Sequence, residues 1–189
     1  PLTNIALALR LAPDLVDHLA GISLMGGGSF GNRTAAAEFN IWADPHAAQI
    51  VFESGVPLTM AGLDVTHQFQ ATSSRIESVR DIGGQLSTVL ADLLDFFSSM
   101  YRSRHDQGAL AGAAMHDPLA VLAVTNPDLF DSVRRHIVIE TSGRLTRGMT
   151  VIDNRRLIER RNANCTVLTV VDSDRAFEAL RRAIASFVR

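Results

Sequence analysis

Two short polar runs stand out from an otherwise apolar chain: Gly31-Asn32 with Ala37-Glu38-Phe39-Asn40, and, far downstream, His116-Asp117-Pro118. Glu38 and Asn40 are two residues apart, so in an extended segment both project to one side. A carboxylate that accepts and an amide that both donates and accepts suit a ligand with adjacent hydroxyls. His116 can act as acid or base near neutral pH. Asp117 beside it can accept from a hydroxyl or ligate a hard cation. The chemistry these groups suggest is gripping a polyol and moving a proton.

The scaffold has 189 residues, 47% of them hydrophobic, enough to bury a substantial core as a single domain over residues 1–189. A net charge of −2 and a pI near 6.3 give no electrostatic reason to expect nucleic acid or an anionic membrane as partner. All 18 basic residues are arginine. Without lysine, Schiff-base and pyridoxal-phosphate enzymes and P-loop nucleotidases each lose an obligatory group. One cysteine, Cys165, rules out an internal disulfide and cysteine-rich zinc sites, and its place at the start of a buried strand predicts an inert thiol. No signal peptide and no membrane-length apolar run is found, which predicts a cytoplasmic protein. The start at Pro1, without methionine, suggests processing or truncation upstream.

Strand and helix signals alternate. Thr3 is positioned to cap a helix through Arg10, and Pro13-Asp14 opens a short one ending near Gly21. Ile22–Met25 reads as a buried strand stopped by Gly26-Gly27-Gly28, with an irregular polar loop after it. Asp44-Pro45 starts a helix that runs to Gly55; Pro57–Ala61 is a second strand, followed by a polar turn over 62–67. From Ile82 to about Arg104, Leu86, Val89, Leu90, Leu93, Leu94 and Phe97 recur at helical spacing and predict a long helix with one buried face. A loop covers 108–115, and Asp117-Pro118 starts a helix to Thr125. Strands are expected over 135–140, 149–153 and 166–171, and an amphipathic helix over 174–188. There is no internal repeat or interdomain linker. The class is α/β, an open Rossmann-like sheet with flanking helices and a site at the strand ends.

Six pieces occur in an order that resembles the inosine/uridine-preferring nucleoside hydrolases. They are Leu24-Met25-Gly26-Gly27-Gly28, Gly31-Asn32, Ala37–Asn40, Asp44-Pro45-His46-Ala47-Ala48, Pro57–Met60 with Leu63–His67, and His116-Asp117-Pro118. The resemblance spans nearly the whole chain. It implies the nucleoside hydrolase fold and cleavage of the N-glycosidic bond of ribonucleosides to ribose and free base. It also implies a calcium ion that orients and activates water, and a homodimer or homotetramer. By resemblance, Asn32, Glu38 and Asn40 hold the ribose hydroxyls while Met25 and Phe39 line the sugar pocket. Asp117 binds both calcium and sugar, and His116 faces the departing base as its acid. Tyr101 and His105, one helical turn apart, are the candidate base contacts.

The chain departs from the family where an aspartate-rich stretch, Asp-x-Asp-x-x-x-Asp-Asp, supplies most calcium ligands and the base that activates water. That stretch is absent, so the chain looks like the C-terminal three-fifths of the family's domain, with Asp117 as its lone metal ligand. Reduced or absent turnover follows for the chain by itself. The rivals are a catalytically silent nucleoside- or ribose-binding module, a subunit whose partner supplies the aspartates, and a purely structural remnant. Several residues also have plainer explanations. Asp44 and Asp117 can simply cap helices, and Glu38 and Asn40 can satisfy backbone groups. Met25 and Phe39 can be core residues, and Tyr101 with His105 a solvated helix end. Asp64, Thr66 and His67 are expected to tie down a turn, and Arg155-Arg156 with Arg160-Arg161 to form a solvated loop.

Overall fold

The computed structural model describes residues 1–104, 112–155 and 163–188. Helix α1 (Thr3–Leu11) and the single turn α2 (Leu15–His18) lead into strand β1 (Ile22–Met25). After the glycine run come α3 (Phe39–Ala43) and α4 (Pro45–Phe52), then strand β2 (Leu58–Ala61) and the short α5 (Leu63–Thr66). The two-residue strand β3 (Gln70–Ala71), α6 (Ser73–Arg80) and the long α7 (Gly84–Arg104) follow. Strand β4 (Ala113–Ala114) precedes α8 (Pro118–Thr125) and a 3-10 turn at Pro127–Leu129. The chain ends with β5 (Phe130–Arg135), β6 (Ile137–Ile139), β7 (Thr150–Ile152), β8 (Cys165–Val171) and α9 (Ser173–Ala185).

The central sheet has the order β1-β2-β8-β5, with the first three strands parallel and β5 antiparallel at one edge. Alternation along each strand divides the core between the two faces of the sheet. Leu24, Leu58, Met60, Cys165 and Val167 pack with α1, α4 and β6. Ala61, Leu168 and Val171 pack with Val65, Phe69, Leu119, Ala176 and Phe177. Ser23 is the polar exception on β1, and its hydroxyl donates to the Ala120 carbonyl at 2.6 Å, tying α8 to the strand. The strands are short and the connections dense, so the carboxyl ends of β1 and β2 lie side by side, with Met25 opposite Ala61.

Several expectations change. Thr3 does not cap α1, because Leu2 holds the cap position; the Thr3 hydroxyl instead donates to Asp44 Oδ2 at 2.7 Å. Residues 63–66 form a helical turn rather than an irregular one, and α6, whose apolar signal is only Ile76 and Val79, was not anticipated. The strand expected over 135–140 breaks at His136, because β5 ends at Arg135 and pairs with β8 while β6 pairs with β7. Helix α7 runs as expected, but Leu86, Val89, Leu93 and Phe97 are exposed. Its buried side is made of Ser87, Ala91 and Ser98, flanked by the partly buried Leu90 and Leu94. Small residues let α7 approach the body closely, and the large ones face outward. Arg155 is exposed and paired with Asp153 at 2.7 Å, while Arg156, Arg160 and Arg161 lie outside the described residues. No described helix is long and apolar enough to cross a membrane.

Burial pushes the Cys165 thiol up to about 12. Cys165 should therefore resist aromatic disulfide reagents at pH 8 and react only as denaturant unfolds the chain; rapid labelling of the native protein would contradict its burial. Leu119→Ala, at a fully buried position, should cost about 2–5 kcal/mol in urea unfolding. Leu93→Ala should cost less than about 1 kcal/mol, since most of that side chain already meets solvent.

Candidate active site at the ends of two parallel strands

The loop that leaves β1 is held by a buried carboxylate. Glu38 is only 3% exposed and occupies the N-cap of α3. Its Oε1 accepts from the Asn40 N–H at 2.8 Å, and its Oε2 accepts from Ile41 N–H at 3.1 Å and Gly27 N–H at 3.0 Å. The Asn40 and Ile41 bonds satisfy helix-terminal donors, and the Gly27 bond ties that helix to the end of β1. The expected extended segment does not form: Asn40 lies inside α3, and the spacing of two does not put it beside Glu38 on a pleat. Gly27 adopts φ +73°, and a Cβ there would stand 2.6 Å from Thr150 Oγ1, so only glycine fits. A bridge between Ala37 and Met149 anchors the loop from its other side.

The two amides are fixed in complementary senses. Asn32 Oδ1 accepts from the Phe39 N–H at 2.9 Å, and its NH₂ has no acceptor among the described residues. Asn40 Nδ2 lies 3.3 Å from both the Met25 carbonyl and Met25 Sδ, and its Oδ1 has no donor among the described residues. Met25 is half-buried, and Phe39, at 51% exposure, is no core residue. Hydrogen bonds join Asn32 to Phe39, Glu38 to Asn40 and Asn40 to Met25, and the chain from Glu38 to Asn40 connects the two sets.

His116 and Asp117 reach the same end of the sheet by another route. Leu63 N–H donates to the Gly27 carbonyl at 2.9 Å, which seats α5 against the glycine run. Asp64 accepts from Ser29 N–H at 2.8 Å and from the Ser29 hydroxyl, so it ties down the loop as expected of it. Thr66, one turn along α5, has its hydroxyl 2.8 Å from His116 Nδ1. The His67 ring lies 5.7 Å from that of His116 and 5.3 Å, edge to face, from Phe30. Phe30, His67 and His116 therefore form a row of rings between the Asn32 loop and α8. Thr66, His67 and Phe30 were not singled out by sequence as partners of His116; the only signal was their position just after a strand. No direct bond joins His116 or Asp117 to Asn32, Glu38 or Asn40 among the described residues.

Burial pushes the His116 imidazole down to about 4, helped by neighbouring His67 and opposed by Asp117. With that shift the ring is largely uncharged at neutral pH. Asp117 is exposed and makes no side-chain cap bond to α8, although Pro118 follows it; its backbone is helical at φ −64°, ψ −34°. Asp44, in the same Asp-Pro context, does cap, accepting from Ala47 N–H at 3.0 Å. Tyr101 is half-buried on α7, 5.9 Å from the Phe97 ring, and desolvation raises its hydroxyl above the usual phenol range. His105 lies outside the described residues.

These positions can be set against known proteins. The family model described as inosine-uridine preferring nucleoside hydrolase matches residues 1–178. The pyrimidine-specific ribonucleoside hydrolase RihA of Salmonella paratyphi B is 46% identical over 173 residues, covering 91% of this chain and 55% of that protein. The chain thus spans about half the length of the curated relatives it matches. Among solved structures, a purine-preferring ribonucleoside hydrolase from Gardnerella vaginalis superposes with a TM-score of 0.88 at 37% identity, over 98% of this chain and 58% of that one. An inosine-guanosine nucleoside hydrolase gives 0.84 at 31% identity, over 100% and 60% of the two chains. Family model, sequence relatives and fold agree with the ordered polar runs, and the chain belongs to the inosine-uridine preferring nucleoside hydrolase family.

Proposed function

We propose that residues 1–189 are a single-domain portion of a ribonucleoside hydrolase that grips ribose and the departing base while the N-glycosidic bond is cleaved. The observation that supports this best is the pair of amides: among the described residues the Asn32 NH₂ has no acceptor and the Asn40 Oδ1 no donor, and Asn32 bonds to Phe39, the neighbour of Asn40 in the chain. That is the pattern a vicinal diol needs, one hydroxyl accepting and its neighbour donating. Glu38 has about four lone-pair positions, and described N–H groups fill three. In this reading the fourth takes a ribose hydroxyl, so Glu38 both orders the loop and touches the sugar. Met25 and Phe39 line the sugar, and Asp117 accepts from a further hydroxyl. Cleavage builds oxocarbenium character on the ribose, and hydroxyl contacts speed it only where they strengthen in the transition state. His116 faces the leaving base, with Tyr101 and His105 as the base contacts from the end of α7.

Nucleoside hydrolases depend as a family on a metal ion. Among the described residues, no group of three or more His, Cys, Asp or Glu side chains could hold one. Glu38 and Asp64 already spend their carboxylates on backbone and Ser29 donors. Calcium, the metal in this reading, takes six to eight oxygens, and Asp117 alone supplies too few. The described residues do not fit a complete cation site. The same observation favours a second reading, a nucleoside- or ribose-binding module without turnover. A homodimer or homotetramer is the assembly proposed for the whole protein, checked by light scattering.

Two measurements test these readings. Calorimetry of the chain with ribose should show binding, weakened about tenfold by Asn40→Ala; no binding by the intact chain would sink both readings. Inosine and uridine hydrolysis in millimolar calcium should be sharply reduced or absent, and full turnover would show that the cation ligands are complete after all. Separately, Glu38→Ala should lower stability by on the order of 2 kcal/mol or more, because three N–H groups lose their acceptor; an unchanged urea midpoint would count against that role.

A further inference from the structure

We infer that Thr66 is a positioning residue that holds His116 as its Nε2–H tautomer, so that Nε2–H offers the departing base a hydrogen-bond donor. The use of that donor rests on the proposed function; the tautomer itself does not. A neutral imidazole carries its hydrogen on one nitrogen and accepts at the other, and the bond made at one nitrogen decides which. Here that bond is the 2.8 Å contact between His116 Nδ1 and Thr66 Oγ1. Thr66 is fully buried, and its hydroxyl has this one hydrogen-bond partner among the described residues. Among the described residues the hydroxyl makes no bond to the usual helical alternative, the carbonyl one turn back on Gly62, which accepts the Thr66 N–H.

Two arrangements are open to the pair. With hydrogen on Nδ1, Thr66 accepts, and its own hydroxyl hydrogen is left unpaired in a place water does not reach, a costly state for a buried donor. With hydrogen on Nε2, the Thr66 hydroxyl donates to Nδ1 and both groups are satisfied. Nε2–H then has no hydrogen-bond acceptor among the described residues and is free for a ligand. The ring is packed on one side by His67, which lies against it at 5.7 Å, and Phe30 closes the far side of His67 at 5.3 Å. A base leaving the sugar gains electron density on its ring nitrogens and carbonyl oxygens. A donor at that point stabilises the charge, whereas the lone pair of the other tautomer would repel it.

The test is nitrogen NMR of the chain with labelled histidine near pH 7.5, using His116→Gln to identify the resonances. The expected pattern is Nδ1 in the unprotonated, pyridine-like range and Nε2 in the protonated, pyrrole-like range. Thr66→Ser should retain the pattern, and Thr66→Val, equal in shape but lacking the hydroxyl, should give a mixture of tautomers. A protonated Nδ1 in the unsubstituted protein overturns the inference, as does a folded Thr66→Val variant with an unchanged spectrum. If Thr66→Val does not fold, the unsubstituted and Thr66→Ser spectra decide. None of these readings requires turnover, so a chain that fails to hydrolyse nucleosides can still show the tautomer, and the reverse.

Discussion

A carboxylate taken almost wholly out of water has to fill its lone pairs from the protein, and around Glu38 that demand organises the site. The donors it finds are the exposed N–H groups at the start of α3 and the N–H of Gly27. Each would otherwise be unpaired, in a helix terminus or a strand that has just ended. By joining them, Glu38 fixes the angle at which α3 leaves the sheet and hence where Asn40 stands. Asn40 in turn bonds back to Met25 at the end of β1. The unit is closed on itself, so the free faces of Asn32 and Asn40 are set before any ligand arrives. Preorganisation of this kind favours binding of any ligand, because loop ordering otherwise opposes it.

The second half of the site is coupled to the first through the glycine run. Gly27 and Gly28 lie so close to α5 that a Cβ on Gly28 would be 3.1 Å from Leu63 N and Asp64 Oδ2. Absence of side chains there lets Leu63 bond the Gly27 carbonyl and lets Asp64 reach Ser29. The next residues along α5, Thr66 and His67, then meet His116. Four consecutive helical residues thus transmit the position of the β1 loop to the histidine fifty positions beyond Thr66 in sequence. A short helix suits that task, since its side chains are held by a rigid turn rather than by a loop.

What could be read from the chain alone follows the range of the interaction. The buried strands Ile22–Met25 and 58–61, the helix started by Asp44-Pro45 and the family's polar runs were legible because each is a local pattern. The relation of Glu38 to Asn40 was not: a spacing of two suggests a strand, but the cap geometry, fixed by distant Gly27, makes α3. Helix α7 shows the same limit. Its 3.6-residue apolar rhythm is real, yet periodicity identifies a face and not what meets it. The small Ser87, Ala91 and Ser98 won the contact with the body, leaving Leu93 and Phe96 outward. The β5 stretch, Phe-Asp-Ser-Val-Arg-Arg, was largely hidden by its charges, which an edge strand tolerates on its solvent side.

The two Asp-Pro pairs show how one local sequence serves two ends. Asp44 sits at φ −147°, ψ 78°, outside the helix, where its carboxylate can turn back onto the Ala47 N–H. Asp117 has helical angles, so the helix effectively continues through it and its side chain makes no cap bond. A cap of this kind contributes about 0.5–2 kcal/mol, and at Asp117 the fold forgoes it. The carboxylate stays exposed beside His116, whose own geometry is set by Thr66. A sequence optimised for stability alone would have used Asp117 as it uses Asp44. A strong acceptor with no hydrogen-bond partner among the described residues, next to a histidine anchored by Thr66, is the kind of local sacrifice that functional sites show.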